Sequence, residues 1–179
     1  MHPVRHKLCS TLIAGILAGC GVAERYETGI SSGYGTGKRD FIPINLYAGA
    51  EANKAIGLDK DYGTLHLGIQ TTHHIYTHPD QGQYNAISPY FRYSYPNANL
   101  QAYVEGGAGP GYLNMGTREQ GNSGFNFIDQ AGGGIRYTNE RFSFNLGYRY
   151  SHISHAGTRD APNRGLDGHS VIFGLSFNY

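Results

Sequence analysis

Near the C-terminus apolar and polar residues alternate almost without a break. Phe142, Phe144, Leu146, Tyr148 and Tyr150 fall on one parity, and Ser143, Asn145, Gly147, Arg149 and Ser151 on the other. The pattern returns at the end of the chain: Val171, Phe173, Leu175, Phe177 and Tyr179 oppose Ser170, Ile172, Gly174, Ser176 and Asn178. A period of two is the mark of a strand with one apolar and one polar face. Here the apolar face carries the large aromatic residues and the other carries mostly small polar ones. A soluble protein would bury the large face in a core, whereas a membrane barrel turns it to lipid.

The same reading extends over the chain. Strand-like segments recur at Tyr26–Gly35, Phe41–Ala52, Tyr62–Tyr76, Ala86–Tyr95, Leu100–Leu113, Gly124–Tyr137, Arg141–Ser154 and Gly168–Tyr179. Turn signals such as Gly35-Thr36-Gly37-Lys38, Pro79-Asp80-Gln81-Gly82 and Thr138-Asn139-Glu140 separate them. Leu65, Leu67, Ile69 and Thr71 oppose His66, Gly68, Gln70 and Thr72, and Ile87, Pro89, Phe91 and Tyr93 oppose Ser88, Tyr90, Arg92 and Ser94. Eight strands of about ten residues predict a small lumen lined by polar residues and glycine.

Residues 1–23 read as a secretory signal: Arg5 and Lys7 precede an uncharged run from Leu8 to Gly21, too short to span a bilayer as a helix. Gly21-Val22-Ala23 suits an ordinary leader peptidase, whereas Leu17-Ala18-Gly19-Cys20 resembles a bacterial lipobox that would lipidate Cys20. Both readings stay open. Cys9 and Cys20 are the only cysteines, so residues 24–179 form a cysteine-free domain. No other apolar run approaches twenty residues, so a membrane-spanning structure must be a closed barrel. Charged residues at 15%, a formal charge of +1 and the terminal aromatic favour the outer membrane over a soluble sandwich or lipocalin-like barrel. The same balance argues against nucleic acid as a partner. The expectation is an all-β chain, an eight-stranded antiparallel transmembrane β-barrel.

In such a barrel both termini are periplasmic, so strand seven runs outward and ends near His152 and Ser154. Counted by twos from Phe142, both lie on the lipid-facing side, where polar residues are costly and therefore suggest a use. Asp167, counted back from Val171, falls on the same side of strand eight, and the loop His155–Leu166 joins the two strands. A hydroxyl, an imidazole and a carboxylate thus meet at the outer-leaflet interface. In a serine esterase His152 would take the proton of Ser154, the freed oxygen would attack an ester carbonyl, and Asp167 would hold the imidazole tautomer. His152 and Ser154 are about 7 Å apart along the strand, within reach if their side chains lean together. The competing reading is that these are polar interface residues ending a strand.

The run Arg149-Tyr150-Ser151-His152-Ile153-Ser154-His155-Ala156-Gly157, followed by Pro162-Asn163-Arg164-Gly165-Leu166-Asp167, resembles the C-terminal signature of the PagL family of lipid A 3-O-deacylases. Looser similarity covers Gly33-Tyr34-Gly35, Glu105–Gly111 and Gly132-Gly133-Gly134-Ile135. The resemblance implies an outer-membrane barrel that hydrolyses the acyl ester at position 3 of lipid A, without a metal or other cofactor. It implies His152 as base, Ser154 as nucleophile and Asp167 as the acid member, with Asn163 and the Gly157 amide stabilising the oxyanion. Two departures stand out: the family's Asn after the serine is His155 here, and its acid is often Glu. The implied partners are lipopolysaccharide as substrate, outer-membrane lipid and the barrel assembly machinery, with a homodimer left open. A non-catalytic barrel, structural or adhesive, is the alternative, and acyl transfer to an acceptor alcohol is a third reading.

Other signals are weaker. His73, His74 and His78 suggest zinc, but neighbours on a strand point to opposite faces and no cysteine is at hand. Gly33-x-Gly35-x-Gly37-Lys38 lacks the first glycine of a phosphate loop, and no helix pattern follows it. Glu105 falls on the lumen side, where it is expected to pair with an arginine such as Arg92 or Arg136.

Overall fold

The computed structural model describes residues 25–179. The expected leader, with both cysteines and both cleavage readings, lies outside them. The chain forms one closed antiparallel barrel in which each strand pairs with the next and β8 returns to β1. The strands are β1 (Tyr26–Gly37), β2 (Asp40–Glu51), β3 (Thr64–His78), β4 (Gly82–Tyr95), β5 (Leu100–Leu113), β6 (Gly124–Thr138), β7 (Phe142–Ser154) and β8 (Leu166–Asn178). A four-residue helix, α1 (Asn53–Ile56), and a 3₁₀ turn at Lys60–Tyr62 fill the connection from β2 to β3. Among the described residues no helix is long and apolar enough to cross a membrane.

The expected parity holds. Phe142, Phe144, Leu146 and Tyr148 of β7 and Val171, Phe173, Leu175 and Phe177 of β8 are exposed on the outer wall. Their alternates Ser143, Asn145, Arg149, Ser151, Ser170 and Ser176 are buried in the lumen. Closing the barrel removes every free strand edge, so all eight strands can sit in lipid with their backbone groups paired. At 12–15 residues the strands exceed the expected ten and extend beyond the hydrocarbon core.

The lumen is polar, as expected, with charged residues added to the small polar ones. It is filled by an ionic chain: Arg136 to Glu27, Glu27 to Arg92, Arg92 to Glu105, and Glu105 to Arg149. Arg92 also lies over the ring of Tyr47 at 4.9 Å. The expected pairing of Glu105 with Arg92 is present, but Arg136 instead holds Glu27, with Nη2 donating to Oε2 at 2.6 Å. Arg136 lies two residues from the inner end of β6, level with Glu27 at the start of β1, whereas Glu105 sits deeper, level with Arg149 of β7. Toward the outer end the lumen turns apolar, plugged by Phe41, Tyr76, Tyr84, Leu113, Met115, Ile128, Ile153 and Leu166. His74 packs its ring against Phe41 in this plug, while His73 faces outward and meets Asn85, so the two neighbours do serve opposite faces.

Candidate active site

The outer ends of β7 and β8 set the site. His152 and Asp167 are direct cross-strand partners, and so are Ile153 and Leu166 beside them. The second pair points inward into the apolar plug and fixes the strands from behind. The first pair therefore must point outward. His152 Nδ1 lies 2.8 Å from Asp167 Oδ1, with 36% of each side chain exposed. A carboxylate only accepts, so Nδ1 carries the proton and Nε2 presents its lone pair. Ser154 is on the same outer parity, half-buried at the end of β7, opposite Phe127 of β6. Among the described residues neither Ser154 Oγ nor His152 Nε2 has a hydrogen-bond partner, so the structure pairs His152 with Asp167 and leaves Ser154 on the same wall without a hydrogen bond to the imidazole.

Two further residues hold the carboxylate. Tyr150 donates its hydroxyl to Asp167 Oδ1 at 2.7 Å. Lys38 Nζ lies 3.3 Å from Oδ2 and donates to the carbonyl oxygens of Arg164 at 3.0 Å and Gly165 at 2.9 Å. Sequence reasoning counted Tyr150 as one more lipid-facing aromatic and Lys38 as part of a turn. Tyr150 sits two residues before His152 on its face, a spacing that would have found it. Lys38 reaches the site only because β1 closes on β8, with Gly37 opposite Gly168.

Gly165 shapes the other side of the imidazole. Its φ is +68°, and a Cβ there would sit 2.3 Å from His152 Cε1. Only glycine both adopts that backbone and admits the ring.

The loop between β7 and β8 begins with a tight turn. Ala156 and Gly157 have φ of 49° and 73°. Thr158 N donates back to His155 O at 2.9 Å. Positive φ at both central residues is the type I′ arrangement. Gly157 is exposed there, just beyond Ser154. Asn163 is also exposed, and its Oδ1 accepts from the His155 N–H at 3.2 Å, which turns the oxygen inward and leaves the amide nitrogen as a donor. His155 itself is 1% exposed. Its Nε2 meets the Pro162 carbonyl at 3.0 Å, so this side chain closes the loop from within and faces away from the outer wall that carries Ser154.

The loop is tied to its neighbours. Arg159 donates to the carbonyls of Asn122, at 2.8 Å, and Gln120 in the β5–β6 connection. Arg164 N donates to Glu119 O at 2.9 Å. Arg39 joins the same connection to the β3–β4 turn through Glu119 and Asp80. Lys38 and Arg39, adjacent in the chain, thus tie the β1–β2 turn to all three other outer connections.

A family model described as PagL, lipid A 3-O-deacylase, matches residues 46–176, a span that includes His152, Ser154, Asn163 and Asp167. The chain belongs to this family. Among solved structures it is similar to the outer membrane enzyme PagL, at TM-score 0.63 and 22% identity, covering 83% of this chain and 97% of that one. It is similar also to Neisserial surface protein A, at TM-score 0.59 and 13% identity over 86% and 95% of the two chains. The N-terminal β-barrel domain of Pseudomonas aeruginosa OprF aligns at TM-score 0.51 and 13% identity over 88% and 99%. At these identities the likenesses carry the fold, that of outer-membrane barrels, and it is the family match that distinguishes this PagL-family chain from the other two. Comparison with curated proteins gives no match.

Proposed function

We propose that this PagL-family barrel is a serine esterase that removes the acyl chain from position 3 of lipid A in the outer leaflet. The observation that carries the reading is the hydrogen-bonded pair of His152 and Asp167 on the outer wall, with Ser154 on the same face. A polar constellation on a lipid-facing wall is costly, and a lipid ester is the substrate that reaches it without leaving the membrane.

In this reading Ser154 gives its proton to His152 Nε2 as Oγ attacks the ester carbonyl. The Asn163 amide and the Gly157 N–H receive the negative charge that develops on the carbonyl oxygen. Collapse breaks the bond to the sugar oxygen, which takes the proton from the imidazolium. Water then repeats the sequence on the acyl-serine, releasing a fatty acid and restoring Ser154. Asp167 keeps Nδ1–H in place and offsets the charge that forms on the ring.

Treatment of the detergent-extracted barrel with a fluorophosphonate tests the nucleophile. The reading expects one adduct, on the peptide containing Ser154, greatly slowed by His152→Ala. Labelling elsewhere, or none on a barrel that is folded by heat-modifiability, would favour the non-catalytic alternative. An acylated alcohol as product in place of free fatty acid would favour acyl transfer.

A further inference from the structure

At its periplasmic end the lumen opens into a cavity of about 300 Å³, more than one water needs and at the lower bound of small-molecule sites. The starts of β3 and β5, the ends of β4, β6 and β8 and the turns beside them form its walls. The apolar plug lies toward the other end of the lumen, so the cavity faces the periplasm and is remote from His152 and Ser154. Its charged groups are matched among themselves. Lys60 Nζ lies 3.2 Å from Glu51 Oε1. Arg136 is held by Glu27. At the rim the exposed Arg25 and Glu140 have opposite signs. The groups left without a partner are neutral. Ser94 is 2% exposed and its Oγ has no hydrogen bond. Gln101 is buried, and its amide has no hydrogen bond among the described residues. Neither ring nitrogen of His66 has one, with Glu27 Oε2 3.8 Å from Nε2. A buried hydroxyl and a buried amide left unpaired are costly, and in a cavity open to an aqueous compartment they mark where a polar molecule is seated.

We infer that this cavity binds a neutral saccharide of one or two rings from the periplasm. A hydroxyl, an amide and a neutral imidazole each donate and accept, and a ring of adjacent hydroxyls is a ligand that does the same. The side chains of Asn97 and Asn99 add two more amides at the mouth. An anion entering here finds Arg136 and Lys60 already engaged, and a cation finds the same of Glu27 and Glu51. Ser94 and Gln101 face the cavity from neighbouring strands, Ser94 as the partner of Thr64 on β3 and Gln101 as the partner of Arg136 on β6. The inference is independent of the proposed function, whose residues lie at the opposite end of the barrel.

The test is a titration of the isotope-labelled barrel, in a detergent that carries no sugar, followed through its amide resonances. The probes are maltose and N,N′-diacetylchitobiose. The wild type is expected to bind at least one of them saturably, with Kd of about 1 mM or below and shifts at the periplasmic end of the lumen. Tighter binding of maltose points to a free neutral sugar as the source, and tighter binding of the N-acetylated disaccharide to a cell-wall glycan. Ser94→Val and Gln101→Leu, each checked for folding by heat-modifiability, are expected to weaken binding about tenfold. Should one of them fail to fold, the other decides. No saturable shift up to about 50 mM of either sugar would overturn the inference, and so would unchanged affinity in the folded variants. Tighter binding of inorganic phosphate than of both sugars would overturn it too and make the site an ionic one.

Discussion

Two carboxylates in this barrel, Glu105 in the lumen and Asp167 on the outer wall, sit in opposite kinds of site. Glu105 is 3% exposed and is gripped on both oxygens, by Tyr90 and Arg92 on one and by Arg149 on the other. Asp167 is more than a third exposed and shares one oxygen between Tyr150 and His152. In the lumen every partner is a permanent cation or a hydroxyl, so the charge is fixed and the network acts as a core. On the wall one partner is an imidazole, whose second nitrogen has no hydrogen-bond partner among the described residues. A carboxylate thus serves inside as part of a fixed ionic brace and outside as the hydrogen-bond acceptor of an imidazole.

Substitutions can break the comparison on either side. The largest expected effect is at Asp167: Asp167→Asn should lower kcat about 10⁴-fold, as loss of the carboxylate does in related triads, with the barrel still heat-modifiable. Ester hydrolysis in detergent measures it. Glu105→Ala is the mirror case. It leaves Arg149 and Arg92 buried and short of a counter-charge and should cost about 3–5 kcal/mol of stability, read as a lower denaturant midpoint for the folded band. The surviving folded fraction should hydrolyse at close to the parental rate.

Smaller changes sharpen the outer side. Gly165→Ala forces a methyl into the imidazole and should lower kcat by about 10²-fold, the cost of a displaced catalytic group, with little change in KM. Lys38→Met removes the cation that holds Asp167 Oδ2 and the Arg164 and Gly165 carbonyls. It should lower kcat about tenfold, with partial recovery in Lys38→Arg, and steady-state kinetics on all three forms decides it.

The membrane-facing parts were legible because period-two alternation is enforced by lipid on one side and lumen on the other. That alternation alone placed His152, Ser154 and Asp167 on one wall. The ends of the strands were less legible. Above the bilayer the outer positions turn polar, as at Gln83 and Asn85, so β4 begins at Gly82 and not at Ala86. Thr36 and Gly37 read as a turn but extend β1 past the expected end at Gly35: a Cβ on Gly35 would strike the Phe41 ring at 2.3 Å, so this glycine marks close packing within the sheet. Conversely Tyr62 belongs to a 3₁₀ turn, and β3 starts beyond Gly63, whose φ is +108°. Lys38 was hidden for a different reason. It meets Asp167 only across the seam between the first and last strands, and no local pattern carries that contact. The burial of His155 was equally out of view, since its partners lie in the Pro162–Asn163 stretch and in the β5–β6 connection.

The most direct test of the account is mass spectrometry of lipid A from Gram-negative cells expressing the wild type or Ser154→Ala, with the acyl positions assigned by fragmentation. The account predicts loss of one 3-hydroxyacyl group from position 3 with the wild type and intact lipid A with the variant. Intact lipid A in both, from cells whose outer membrane contains the folded barrel, would contradict it.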